Sequence, residues 1–230
     1  MDDFFRESLY AGVVLSLATY GLGLVLKRRL KLGLFNPLLI SIILTIAVLV
    51  ACRVSYEAYE TGSRYLSWLL TPATVCLAIP LYEKREALVR NARAILLALT
   101  AGALTSCATV LALSALLKLD HRTYVTLLPK SITTAIGMGV AEELGGHVTI
   151  AVAVIVITGV LGNVLGIGLC RLFRITHPVA KGLAFGASSH AIGTTKAMEL
   201  GEVEGAMSGL AIAVSGVITV IVAPLFAKLL

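Results

Sequence analysis

Six apolar runs, each nearly free of charge, dominate the chain: 8–26, 32–52, 65–82, 94–117, 147–170 and 205–227. Each is long enough to cross about 30 Å of hydrocarbon as a helix, which rises 1.5 Å per residue. In lipid the backbone must satisfy its own N–H and C=O groups, so uninterrupted runs of this length fold as helices. The expectation is an all-α polytopic membrane protein with about six transmembrane helices. Composition agrees, since 58% of the 230 residues are hydrophobic and only 14% are charged, against about a quarter charged in soluble domains.

The formal net charge of +6 would point to nucleic acid in a soluble protein. Here the basic residues gather in short segments between apolar runs, as topology signals do, so no nucleic-acid partner is expected. Lys27, Arg28, Arg29 and Lys31 form one cluster, Lys84, Arg85, Arg90 and Arg93 a second, and Arg171, Arg174 and Lys181 a third. Placing all three on the cytoplasmic side of a cell (inner or plasma) membrane puts both termini outside. The four cysteines show no C-x-x-C spacing and read as packing residues, and no metal or cofactor is expected. The start MDDFF lacks the basic region of a cleavable signal.

Two further segments are apolar but too short to span: 131–141, and 182–187 with its polar continuation. Each must re-enter, break, or lie in the interface. Setting Ala135-Ile136-Gly137 on Ala191-Ile192-Gly193 aligns TTAIGMGVAEELG (133–145) with SHAIGTTKAMELG (189–201), and a long apolar run follows each. This is an internal repeat. One broken element plus one crossing is an odd count, so the copies, 129–173 and 182–230, should be inverted relative to each other. The expected organisation is an N-terminal part, 1–128, for scaffolding and oligomerisation, and a core, 129–230, holding the inverted repeat.

Inverted repeats with interrupted helices are the signature of secondary transporters, where half-helix N-termini offer free N–H groups to an anion near mid-membrane. The expected ligand set is Lys130, Ser131, Thr133 and Thr134 from one copy and Ser188, Ser189, His190, Thr194, Thr195 and Lys196 from the other. Clustered hydroxyls donate to a carboxylate or hydroxyl, and a lysine in the membrane interior needs an anion or water. Asn36, before Pro37, is a further candidate for the same cavity. Glu143 and Glu199 occupy equivalent repeat positions and are candidates for coupling to a proton or sodium ion, although a helix-end carboxylate paired with a lysine reads as well. Gly137, Gly139 and Gly193 are candidate hinges. The Gly162–Gly166 spacing is a small-xxx-small pattern suited to an internal helix contact or to an oligomer. No catalysis is expected: G-x-S-x-G and H-E-x-x-H are absent, and the adjacent Ser189 and His190 would point about 100° apart on a helix.

NPLLIS (36–41), LLTPATVCLAIPLY (69–82), PKSITTAIG (129–137) and GASSHAIGTTKAMELG (186–201), in this order, resemble the LrgB/CidB membrane protein family over nearly the whole chain. The resemblance implies a membrane protein paired with a small holin-like LrgA/CidA-type partner and linked to control of murein hydrolases and cell lysis. It also implies carriage of small acids, because the plant plastid relative exports glycolate and imports glycerate and bacterial relatives are associated with pyruvate or similar acids. Ala135 stands where a proline is common in the family and Thr195 where alanine is common. The resulting expectation is an alternating-access carrier of small monocarboxylates such as glycolate, glycerate, lactate or pyruvate, working as a homo-oligomer (dimer). The alternative is a holin/antiholin-like regulator of murein hydrolase activity acting with its partner.

Overall fold

The computed structural model describes residues 2–30, 37–69, 72, 82 and 85–230, and every regular element among them is a helix. Asn36 and most of the expected crossing 65–82 lie outside the described residues. Four helices or parts of helices are long and apolar enough to cross a membrane: Ala11–Arg29, Ala92–Leu116, Val148–Leu172 and Glu202–Ala227. A fifth apolar helix, Pro37–Ala51, is shorter. The chain divides into two compact units, Met1–Cys76 and Leu77–Leu230. The second takes in the helix 85–116 along with both copies of the repeat.

The first unit contains α1 (Asp2–Glu7), α2 (Ala11–Leu30), α3 (Pro37–Ala51) and α4 (Tyr56–Trp68). Polar side chains tie these helices together. Thr19 Oγ1 meets the hydroxyls of Ser41 and Thr45, both at 3.0 Å, and Ser16 meets the Tyr59 hydroxyl at 2.7 Å. Hydroxyls inside apolar helix pairs stabilise best when they bond each other in this way. The α2–α4 crossing is backbone to backbone, since a Cβ at Gly12 would fall 2.7 Å from the Tyr59 carbonyl. Asp2 accepts hydrogen bonds from the Ser55 amide and hydroxyl and from Arg6, which hold its carboxyl well below the usual range.

The second unit contains α5 (Arg85–Leu116), α6 (His121–Leu127), α7 (Thr134–Glu143), α8 (Val148–Leu172), α9 (Pro178–Leu200) and α10 (Glu202–Ala227). Asp120 caps α6, accepting from the Thr123 amide at 3.1 Å and hydroxyl at 2.6 Å. Along α5, Ile95, Leu99, Ala103, Cys107 and Val110 form one buried stripe at helical spacing. Its first part packs on Leu183, Met207 and Leu210, and its last part on Tyr124, Val125 and Leu128.

Helix α9 is broken. His190 has φ 42° and ψ −137°, outside any helical region, a conformation costly for a residue with a side chain. The chain folds back there: a Cβ at Gly193 would come within 2.5 Å of the carbonyl oxygen of Phe185, eight residues earlier. In a continuous helix those residues would stand about 12 Å apart. The equivalent pair in the first copy, Gly137 and Pro129, makes the same approach at 3.5 Å. The register that sets Gly137 on Gly193 also lays α7 on the second limb of α9 and α8 on α10.

Glycine lets the first limb of α9 lie between α8 and α10. On one side Gly182 and Gly186 face Glu204, Met207, Ser208 and Ala211 of α10. On the other, Phe185 fits against Gly166, Ser189 against Gly162 and the His190 ring against Gly159. The Gly162–Gly166 pattern therefore serves a contact within the chain. Replacing Gly162 or Gly186 with leucine is expected to cost about 1–3 kcal/mol or more through overpacking, whereas Gly168→Ala, which faces open space, is expected to be tolerated. Thermal unfolding monitored by size-exclusion fluorescence distinguishes these outcomes, and a normal melting temperature for Gly186→Leu would contradict the packing described.

Candidate functional site

Three helices and one turn of the second unit line an open cavity of about 860 Å³. Helix α5 supplies one wall, α8 the second and the first limb of α9 the third, while Lys130 and Ser131 enter from the turn before α7. The turn exists because Pro129 has no amide hydrogen to continue α6. It presents Lys130 at the edge of the core that Leu128 and Ile132 anchor.

The cavity has a polar end and an apolar end. Lys130 Nζ donates to Ser131 Oγ at 3.1 Å, and Ser131 Oγ meets Ser106 Oγ of α5 at 3.1 Å. Across the cavity Ser188 and Ser189 share a hydrogen bond of 2.9 Å, and Ser188 also donates to the Ala184 carbonyl at 2.7 Å. Thr105, Thr109 and Thr158 add hydroxyls to the lining. Toward the other end the walls become mainly apolar, Ile95, Leu99, Leu165, Leu169 and Leu183, with His177 beside them. Among the described residues Lys130 is the single Lys, Arg, Asp or Glu side chain lining the cavity. An ammonium against apolar walls, with hydroxyls aligned beside it, has the chemistry to hold a carboxylate.

Both copies of the repeat thus contribute: Lys130 and Ser131 from the first, Ser188 and Ser189 from the second. The other expected ligands lie elsewhere. Thr133 and Thr134, at the start of α7, are half-buried and do not line the cavity. His190 is buried, with Nε2 3.0 Å from the Ile155 carbonyl. Thr194 donates to the His190 carbonyl at 3.0 Å and meets Ser208 Oγ at 2.8 Å. Thr195 is exposed; it donates to the Ile192 carbonyl at 2.8 Å and accepts from Asn163 at 3.2 Å. These bonds close the backbone around the break, the task that polar residues perform where a membrane helix is interrupted.

Lys196 is ion-paired with Glu199 at 2.6 Å, away from the cavity. Glu143 and Glu199 both sit at exposed helix ends. Of the candidate hinges, Gly193 is packed against Phe185 and Ser189, Gly137 against Ile155, and Gly139 faces open space. The reading of the sequence missed Ser106, Thr105 and Thr109 of α5, as well as Thr158. Their signal was present: hydroxyls at 105 and 109 stand one turn apart in an apolar helix, on one face.

Comparison with known proteins gives the same assignment along the chain as the motifs do. The model of the LrgB-like family matches residues 16–229. Antiholin-like protein LrgB of Bacillus mycoides (strain KBAB4) is 38% identical over 218 residues, covering 94% of this chain and 95% of the relative. The proteins of that name from Bacillus cereus (strain B4264) and Bacillus anthracis (strain CDC 684 / NRRL 3495) match with the same identity and coverage. No solved structure matches. With its long apolar helices and this match over nearly its whole length, the chain is a membrane protein of the LrgB family.

Proposed function

We propose that this protein is an antiholin-like regulator of cell lysis, restraining murein hydrolase activity from the cell membrane together with a small holin-type partner. Near-complete alignment with relatives named antiholin-like carries this reading. The basic clusters are assigned to the cytoplasmic side by the preference of Lys and Arg for that face. Deleting the gene is expected to hasten autolysis and raise murein hydrolase activity, measured by zymography and by loss of turbidity. Unchanged lysis in the deletion strain would sink the proposal.

A second reading, carriage of small monocarboxylates, is favoured by one observation: a cavity that holds a single ammonium among the described residues and is lined by serine hydroxyls from both halves of a repeat. Support for the repeat comes from the matching close approaches at Gly137 and Gly193, and the odd number of crossings in each copy is what would invert one relative to the other. Each copy then holds one broken element and one span, the arrangement in which a substrate site is exposed alternately to either side. Glycolate, glycerate, lactate and pyruvate fit the polar end by chemistry, each offering a carboxylate to Lys130 and an oxygen to the serines. The two readings are compatible, since bound acid could set the state in which the partner is held.

In proteoliposomes, saturable exchange of labelled pyruvate or glycolate is the expected result. Lys130→Ala should weaken it about tenfold or more, the scale of one lost charge-assisted hydrogen bond. Lys130→Arg should retain much of it, and Lys196→Ala, which removes only a pair at the helix end, should do less damage. Non-saturating leakage indifferent to Lys130 would exclude the carrier and leave the lysis reading standing.

A further inference from the structure

A second pocket, of about 380 Å³, lies where α8 ends and α9 begins. Arg171, Arg174 and Lys181 line it together with the hydroxyl-bearing Thr176, over a floor that includes Ile167 and Phe185. Among the described residues no Asp or Glu lines it. It shares no lining residue with the larger cavity, and the first limb of α9 separates them, turning Leu183 and Ala187 to one and Lys181 and Phe185 to the other. We infer that this pocket is a binding site for a phosphate group, one that fixes the position of the first limb of α9.

Three observations carry the inference. Like charges repel, and cations serving only as topology signals are best left separately solvated. Here three converge on one concavity, which raises their mutual cost unless an anion joins them. Two of the three are arginines, whose planar donor forks match phosphate oxygens in pairs. Finally, Arg171 lies in the last turn of a helix apolar enough to span the membrane, Val148–Leu172. That sets the pocket at the level of lipid headgroups, where basic pockets between helices take phosphate. The apolar floor suits the glycerol and first methylenes of a phospholipid, and the cationic rim suits a dissolved phosphate equally.

The experiment separates these sources. Purified protein is placed in nanodiscs of phosphatidylcholine with or without phosphatidylglycerol, and retained lipid is counted by native mass spectrometry. In parallel, inorganic phosphate is titrated calorimetrically into protein held in a neutral detergent. Selective retention of phosphatidylglycerol assigns the site to a headgroup, and saturable phosphate binding assigns it to the free anion; either supports the inference. Arg171→Gln with Arg174→Gln and Lys181→Gln should reduce the observed binding at least about tenfold. Lys228→Gln, outside the pocket, should leave it unchanged. Should the triple variant not fold, Lys181→Gln alone and the Arg171→Lys, Arg174→Lys pair provide the reading, the first weakening binding and the second largely keeping it. Wild-type protein that binds neither ligand, or variants that bind as well as wild type, would overturn the inference.

Discussion

The core of this molecule depends on how closely a broken helix can approach its two neighbours. Lipid tails offer no hydrophobic gain for bringing one apolar helix against another, so association rests on van der Waals contact at short range and on hydrogen bonds. The first limb of α9 achieves this on both faces at once, through its own Gly182 and Gly186 against α10 and through Gly159, Gly162 and Gly166 of α8 against Phe185, Ser189 and His190. Everything at the cavity follows from that seating. Ser188 and Ser189 line it because the limb is held at that depth and rotation.

The interruption at His190 has to satisfy the backbone groups it frees. The Thr194 hydroxyl returns to the His190 carbonyl, the Asn163 amide reaches the Ile192 carbonyl at 2.8 Å, and the His190 ring meets the Ile155 carbonyl. Several residues that looked like ligands are therefore occupied by the fold itself. What remains for a guest is a smaller group: one lysine and a set of serine and threonine hydroxyls drawn from α5, the 128–133 turn, α8 and α9. Charge within the cavity is concentrated at Lys130, so an anion there would have its orientation set by one end.

Much of this was legible in the sequence. Apolar run length gave the long helices, because a span in hydrocarbon tolerates no other backbone arrangement. The repeat was visible as AIG and ELG tripeptides in matched positions, and the fold-back contacts at Gly137 and Gly193 fall in that same register. Side-chain direction was not legible. Thr194 and Ser188 carry the same functional group six residues apart, yet one is spent on Ser208 and the other faces the cavity, a difference set by the break angle. Ser106 was missed because it lies in a helix outside the repeat, where hydroxyls ordinarily bond their own backbone, as Thr109 does to the Thr105 carbonyl. The 162–166 glycine pair left an internal contact and an oligomer equally open, since spacing reports a smooth surface without naming what lies on it.

The glycines of α8 recur at 159, 162 and 166, each about one turn from the next. His190, Ser189 and Phe185 occupy these three sockets in that order. The 185–190 segment therefore runs antiparallel along α8, with each of its three side chains seated where α8 carries none. A methyl group at any of the three glycines would collide with its occupant, so the row acts as a depth stop that fixes where along α8 the serine pair stands.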